Sequence, residues 1–193
     1  MKNKVLVSGC KGKMGEIICS LISKTSDMEV ICGFDVIEDL SGSFPIYNDI
    51  TSLLNFKKVD IIIDFSKPEG TDAILKYANL SKTPIVIATT GLSEETLDNI
   101  AKFSNKIPVF QAANMSIQVN LVKHVLETIA KAIPSSEVEI TETHHNRKAD
   151  APSGTAKVFA TAVKEALEET KGVPYEIIYG REGKRKENEI PFH

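Results

Sequence analysis

The sequence has no tryptophan, three cysteines in 193 residues and no long apolar run. Its longest apolar stretches, Val59–Phe65 and Ile85–Ala88, have strand length, whereas a bilayer-spanning helix needs about 20 apolar residues. The opening segment, MKNKVLVSG, carries only the short run Val5–Val7 and does not read as a signal peptide. Cys10, Cys19 and Cys32 are odd in number and lack metal-ligand spacing. They read as reduced thiols packed as small hydrophobes, which points to the cytosol. A net charge of −3 gives no electrostatic reason to expect nucleic acid or an anionic membrane as partner. What is present, 42% hydrophobic and 25% charged residues, suits one large globular domain or two small ones.

In the first half, strand-like and helix-like segments alternate. Lys4–Ser8 is a short apolar run stopped by glycine. Gly12–Ser23 has helical spacing, with Met14, Ile17, Ile18, Leu21 and Ile22 read as one apolar face. Met28–Phe34 reads as a strand, Leu40–Pro45 as loop, and Val59–Phe65 as a strand buried on both sides. Pro68 opens a helix to about Ser81, Pro84–Thr89 is a strand, Ser93 caps a helix, and Val109–Gln111 is a further strand. This alternation predicts a doubly wound parallel sheet over residues 1–112. The remainder, 113–193, reads as a separate α+β domain. Helices are expected over Ser116–Ile133 and Ser153–Thr170 and strands over Glu137–His144 and Tyr175–Tyr179. Arg181–Glu189 reads as a mobile, solvated charged loop. His124, inside the first of these helices, reads as an ordinary core or surface histidine.

The first strand meets the first helix through Gly9-Cys10-Lys11-Gly12-Lys13-Met14-Gly15, a G-x-x-G-x-x-G variant of the dinucleotide fingerprint. Glycines there permit a tight turn and close approach of backbone to a pyrophosphate, which the helix N-terminus favours electrostatically. Asp35 follows the second strand, 20 residues after Gly15, where an acid bonds the adenine-ribose hydroxyls. Strand, loop, helix and acid together make residues 1–112 a Rossmann-like dinucleotide-binding domain. Asp35 repels a 2′-phosphate and so favours NADH, but Lys11 and Lys13 could offset that repulsion, leaving NADH and NADPH both open. Ala88-Thr89-Thr90-Gly91 ends the fourth strand beside the expected crevice. Its hydroxyls could reach a nicotinamide, although locally a plain strand-to-helix turn explains it.

The second concentration of chemistry is Glu139-Ile140-Thr141-Glu142-Thr143-His144-His145-Asn146-Arg147-Lys148-Ala149-Asp150-Ala151-Pro152-Ser153-Gly154-Thr155-Ala156. Here a strand gives way to a charged loop and a helix restarts after Pro152, with Ser153 as N-cap. Ser153, Gly154 and Thr155 present hydroxyls and backbone N–H groups at a helix N-terminus, an anion site. His144, His145, Arg147 and Lys148 add cationic or donor groups, which suits a small dicarboxylate. Two alternatives are a solvated loop before a capped helix and a metal site. For the metal, no third ligand at the usual spacing accompanies the paired histidines, so none is assigned.

This segment resembles the signature of the 4-hydroxy-tetrahydrodipicolinate reductase family, E-(I/V)-x-E-x-H-x-x-x-K-x-D-x-P-S-G-T-A, and meets each of its fixed positions. Asp64-Phe65-Ser66-Lys67-Pro68-Glu69-Gly70, Thr89-Thr90-Gly91 and Ala112-Ala113-Asn114 resemble family segments too. The resemblance implies that NADH or NADPH reduces a cyclic 4-hydroxy diacid, with loss of water, in lysine and diaminopimelate biosynthesis. It implies His144 as proton donor or acceptor and Lys148 as general acid, with His145, Ser153, Gly154 and Thr155 holding the substrate carboxylates. Gly9, Cys10, Lys11, Gly12, Lys13, Met14 and Asp35 would then bind the adenine nucleotide. Ala88, Thr89, Thr90, Ala112, Ala113, Asn114 and Met115 would lie against the nicotinamide. No metal is implied, and the family assembles as homotetramers through the second domain.

Three positions depart from the family pattern: Ala88 and Gln118, where glycine is usual, and Met115, where phenylalanine is usual. Family members also continue well beyond residue 193, and Ile190–His193 reads as a strand cut short. The resemblance therefore implies a second domain that is incomplete here, as a fragment or a shortened protein, with assembly and activity both at stake. Two competing expectations follow: another two-domain dehydrogenase, acting on aspartate semialdehyde or homoserine, or a catalytically inactive NAD(P)-binding module.

Overall fold

A computed structural model describes residues 2–112, 114–148 and 151–193. The chain divides into two compact units, Met1–Ala113 and Asn114–His193.

The first unit is a six-stranded parallel sheet flanked by helices. Its strands are β1 (Asn3–Ser8), β2 (Met28–Phe34), β3 (Ile46–Tyr47), β4 (Ile61–Asp64), β5 (Ile85–Ile87) and β6 (Val109–Gln111), in the order β3-β2-β1-β4-β5-β6. The helices are α1 (Lys13–Ser23), α2 (Ile50–Leu54), α3 (Pro68–Ser81) and α4 (Glu94–Ser104). The chain winds outward from β1 in both directions, so the topological switch lies between β1 and β4, where doubly wound sheets bind ligands. The central strand is buried on both faces. Val5 and Val7 pack with Ile22, while Leu6 packs with Ile62, Ile74 and Leu75 on the opposite side. Such double burial explains why these strands read as continuous apolar runs.

Two details differ from the sequence reading. The buried face of α1 is Gly15, Ile18, Cys19 and Ile22, whereas Met14, Ile17 and Leu21 are exposed. Two neighbouring apolar stripes had the spacing of one broad face. The segment after Pro45 also holds structure that periodicity did not predict. β3 has only two residues, and α2 is a single turn whose Asp49 side chain caps the Ser52 N–H at 2.8 Å.

The second unit comprises α5 (Ile117–Ala132), α6 (Gly154–Lys171), β7 (Glu176–Tyr179) and β8 (Glu189–Phe192), with β7 and β8 parallel. Its core joins Ala130, Val163, Ala166, Leu167, Tyr175 and Ile190. Glu137–His144 does not form the expected strand. It makes one parallel bridge, Ile140 to Phe192, backed by hydrogen bonds from Ile140 N to Pro191 O and from His193 N to Ile140 O. Val138 and Ile140 still face the core as their alternation suggests.

The charged run after β7 is anchored rather than freely solvated. Arg185 donates to Val138 O at 3.3 Å and lies 3.3 Å from Glu137, while Arg181 donates to Gly183 O and Glu139. Net charge in a segment does not reveal that its arginines close onto acids 40-odd residues earlier in the chain. Among the described residues, no helix is long and apolar enough to cross a membrane.

Candidate functional site

The glycine loop is shaped by contacts that side chains would prevent. Gly9 sits at φ +75°, and a Cβ there would lie 2.7 Å from Ser66 Cα and 2.8 Å from Phe65 O. A Cβ on Gly15 would lie 2.0 Å from Gly9 O. The loop is thereby pressed against both the β4 end and its own helix. Its backbone bonds include Gly9 N–H to Phe34 O at 2.8 Å and Gly12 N–H to Gly9 O at 3.0 Å.

Beside it a cleft of about 450 Å³ opens at the switch point. Its walls include Gly9 and Gly12 after β1, Asp35 and Val36 after β2, and Ser66 and Lys67 after β4. Asp35 stands at the rim. Its Oδ2 accepts the Lys11 N–H and its Oδ1 accepts the Val36 N–H, both at 2.8 Å. Each oxygen keeps a second lone pair for a ligand hydroxyl. Bare backbone at the turn and a fixed carboxylate at the far edge fit a dinucleotide, with Gly9 and Gly12 toward the phosphates and Asp35 toward the adenine ribose.

The other predicted residues of this unit divide by exposure. Cys10 offers only its backbone, because its thiol is buried against Gly33 and burial pushes its pKa up to about 12. Lys13 and Met14 are exposed. The Lys11 ammonium reaches away from the loop to Asp39 Oδ2 at 3.0 Å. Hydrogen bonds from the Ser41 hydroxyl and from Lys11 hold the Asp39 carboxyl down to about 2.

At the β5 end, Ala88 is half-buried and Thr90 is exposed. Thr89 is buried, and its hydroxyl donates to Asp64 Oδ2 at 3.0 Å and lies 3.2 Å from Ser66 O. That hydroxyl is engaged within the protein instead of reaching outward. Asp64, fully buried at the end of β4, also accepts the Thr71 hydroxyl at 2.5 Å and the Ser66 N–H at 3.2 Å. It ties the ends of β4 and β5 to α3 directly beneath the cleft. Sequence reasoning did not single it out. The available signal was an acid closing the apolar run Ile61-Ile62-Ile63, followed by threonines at 71 and 89.

Ala112 donates its N–H to Ile87 O at 3.2 Å, which continues the β5–β6 edge. Ala113 lies outside the described residues. Asn114 Oδ1 accepts the Ser116 N–H and its carbonyl accepts from Asn120, so this residue braces the start of α5, beside the half-buried Met115.

In the second unit, Glu142 organises the loop before α6. Its Oε1 accepts the Ser153 N–H at 2.7 Å, and its Oε2 lies 3.6 Å from His144 Nδ1. The Ser153 hydrogen bond, with smaller contributions from His144 and Lys148, holds the Glu142 carboxyl below its usual range. Ser153 is buried and its hydroxyl oxygen caps α6 by accepting the Ala156 N–H at 3.1 Å. The Lys157 N–H bonds Ser153 O. With the Ser153 and Ala156 N–H groups engaged, Gly154 and Thr155 carry the N–H groups of the first turn that have no acceptor within the helix.

His144 and His145 are exposed, and Lys148 is half-buried. The loop folds back on itself, with Lys148 N–H to His145 O and Arg147 N–H to His145 Nδ1, both 3.1 Å. Ala149 and Asp150 lie outside the described residues. One loop thus brings the His144 imidazole, the Lys148 ammonium and the N-terminus of α6 to a single carboxylate, Glu142. Among the described residues, no group of three or more His, Cys, Asp or Glu could hold a metal ion.

Comparison with known proteins agrees with both halves. The family model of the dihydrodipicolinate reductase N-terminus matches residues 3–115 and that of the C-terminus matches residues 118–193. A 4-hydroxy-tetrahydrodipicolinate reductase of Clostridium novyi is 38% identical, over 98% of this chain and 74% of its own. One from Caldanaerobacter subterraneus is 39% identical, over 100% of this chain and 75% of its own.

Among solved structures, the dipicolinate-bound dihydrodipicolinate reductase of Paenisporosarcina sp. TG-14 superposes with a TM-score of 0.74 at 25% identity. That match covers all of this chain and 78% of that one. Myo-inositol dehydrogenase of Lactobacillus casei, solved with NAD(H) and myo-inositol, shares the fold at a TM-score of 0.53 and 20% identity, over 73% of this chain and 45% of its own. With both of its units matched by the two halves of one family, this chain belongs to the dihydrodipicolinate reductases.

Proposed function

We propose that the chain reduces 4-hydroxy-tetrahydrodipicolinate to tetrahydrodipicolinate with NADH or NADPH and loss of water, in lysine and diaminopimelate biosynthesis. The observation that carries this reading is the loop from Glu142 to Thr155, where His144, Lys148 and the N-terminus of α6 surround one carboxylate. A ring bearing two carboxylates suits that loop. Gly154 and Thr155 donate N–H groups to one carboxylate, Ser153 adds its hydroxyl hydrogen, and His145 serves the other. The α6 dipole favours negative charge at this end.

Loss of the ring hydroxyl as water is proton-neutral. Reduced nicotinamide supplies a hydride when bound. Hydride addition takes up one proton, which Lys148 delivers as general acid while His144 exchanges protons beside it. Glu142 Oε2 faces His144 Nδ1 at 3.6 Å. General acid catalysis of this kind contributes about 10²–10⁴-fold. Gly9 to Met14 and Asp35 hold the adenine nucleotide, and Ala88 to Thr90 with Ala112 to Met115 border the nicotinamide.

A cytoplasmic homotetramer assembled through the second unit is the quaternary form carried over from the family resemblance. Sedimentation of the chain as it stands tests that assembly. The activity is tested by following NADH and NADPH oxidation with freshly made dihydrodipicolinate synthase product. Oxidation that depends on that product supports the proposal. NADH binding without any such oxidation rejects it.

A further inference from the structure

We infer that Asp39 biases this chain toward NADH by holding the Lys11 ammonium away from the site a 2′-phosphate would occupy. The inference rests on the dinucleotide-binding reading of the glycine loop and Asp35. That reading leaves Lys11 as the cation best placed to offset Asp35, because its backbone N–H already touches Asp35 Oδ2 at 2.8 Å. Its side chain, however, is committed to Asp39 Oδ2 at 3.0 Å.

Asp39 is a fixed partner. Its N–H donates to Ile46 O at 2.9 Å and its carbonyl accepts the Ile46 N–H at 2.8 Å, so the backbone is locked to β3. Its other carboxylate oxygen accepts the Ser41 N–H at 3.1 Å and the Ser41 hydroxyl at 2.8 Å. Moving Lys11 to a phosphate would strip Asp39 of the one cation paired with it among the described residues, on a backbone that cannot follow.

The pair is about one-third exposed, so its own contribution to stability is small. Its effect lies in where it puts charge. A 2′-phosphate brings close to two negative charges at neutral pH. It would meet Asp35 at the rim and find Lys11 already neutralised, with Asp39 and the exposed Glu38 nearby in sequence. A ribose hydroxyl carries no such charge and can donate to Asp35.

The test is equilibrium binding of NADH and NADPH, read by the fluorescence of the reduced nicotinamide, on the whole chain and its variants. Wild type should bind NADH at least about tenfold more tightly than NADPH. Asp39→Asn keeps the backbone bonds to Ile46 and an oxygen for Ser41 while freeing Lys11. It should tighten NADPH by about tenfold and leave NADH within about twofold, with a gain that shrinks as salt rises. Adding Lys11→Met to Asp39→Asn should erase the gain.

A wild type that binds NADPH as well as NADH overturns the inference. So does an Asp39→Asn variant that shifts both nucleotides alike, or an NADPH gain that survives loss of Lys11. Normal NADH binding with no response to Asp39→Asn defeats this inference alone. If neither nucleotide binds the wild type, the dinucleotide reading itself fails and this inference fails with it.

Discussion

Replacing Gly15 with alanine sets two effects of opposite sign against each other. Glycine inside a helix costs about 1 kcal/mol relative to alanine, so helix propensity alone predicts a more stable protein. The packing predicts the reverse. A Cβ on Gly15 would lie 2.0 Å from Gly9 O and 2.6 Å from Cys10 Cα, both rigid backbone atoms of the turn. Relief requires α1 to move from the β1 end by about 1 Å or more, since non-bonded heavy atoms settle near 3.5 Å. Overpacking against backbone that cannot rotate away costs about 1–3 kcal/mol or somewhat more.

The steric effect therefore wins, with a net loss of about 1–2 kcal/mol, or roughly 4–10 °C in the melting temperature of the first unit. The same displacement widens the turn beneath the pyrophosphate, so NADH affinity should fall at least about tenfold. Thermal unfolding by circular dichroism and nucleotide fluorescence titration read the two effects separately. A variant that melts about 3 °C higher and binds NADH normally would show that the turn does not need glycine at this position, and the reasoning would be wrong.

Three further predictions concern other parts of the two units. Asp64→Ala leaves the buried Thr71 hydroxyl and the Ser66 N–H without their acceptor, at about 1–3 kcal/mol each, while the Thr89 hydroxyl turns to Ser66 O. Relief of the buried charge offsets part of this, so denaturant melts should show a loss of about 3 kcal/mol, and a loss below about 1 would remove Asp64 as the tie beneath the cleft. Lys148→Ala should lower kcat by about 10²–10⁴-fold with NADH affinity retained, and an unchanged kcat would take Lys148 out of the mechanism. Folding lowers the pKa of Glu142, so its contribution to stability is complete above the ordinary carboxyl value of 4.5 and fades as pH falls through the lower folded value. Acid titration of Glu142→Gln should lack that component of the second unit's unfolding, whereas identical acid profiles would show that Glu142 and the Ser153 N–H are not coupled.

Where local chemistry decided the structure, the sequence was readable. Ser93 and Ser153 cap α4 and α6 through their hydroxyl oxygens, as their positions before helical runs suggest, and Pro68 opens α3. Apolar runs without alternation became strands of a sheet covered on both faces, which also places the glycine turn and Asp35 at its carboxyl edge.

Where a contact depends on distant partners, local pattern was insufficient. The alternation of 137–144 is real, yet ladder pairing needs a neighbouring strand, and β8 meets it only around Ile140. The stripe of Met14, Ile17 and Leu21 has helical spacing and still faces outward, because the sheet meets the narrower face set by Gly15 and Ile22. The carboxylates of Asp64 and Asp39 matter because of threonines, a lysine and a serine that folding brings to them. Glu142, visible in the sequence only as one fixed position among many, proves to touch both Ser153 and His144.

The central claim is that the start of α6 and the loop before it grip a small diacid. Titrating the ¹⁵N-labelled chain with pyridine-2,6-dicarboxylate, with NADH present, tests it most directly by amide chemical shifts. The account predicts saturable shifts that are largest at Gly154 and Thr155 and are strongly weakened in Lys148→Ala. Saturable shifts centred elsewhere, or equal affinity in the two proteins, would contradict it.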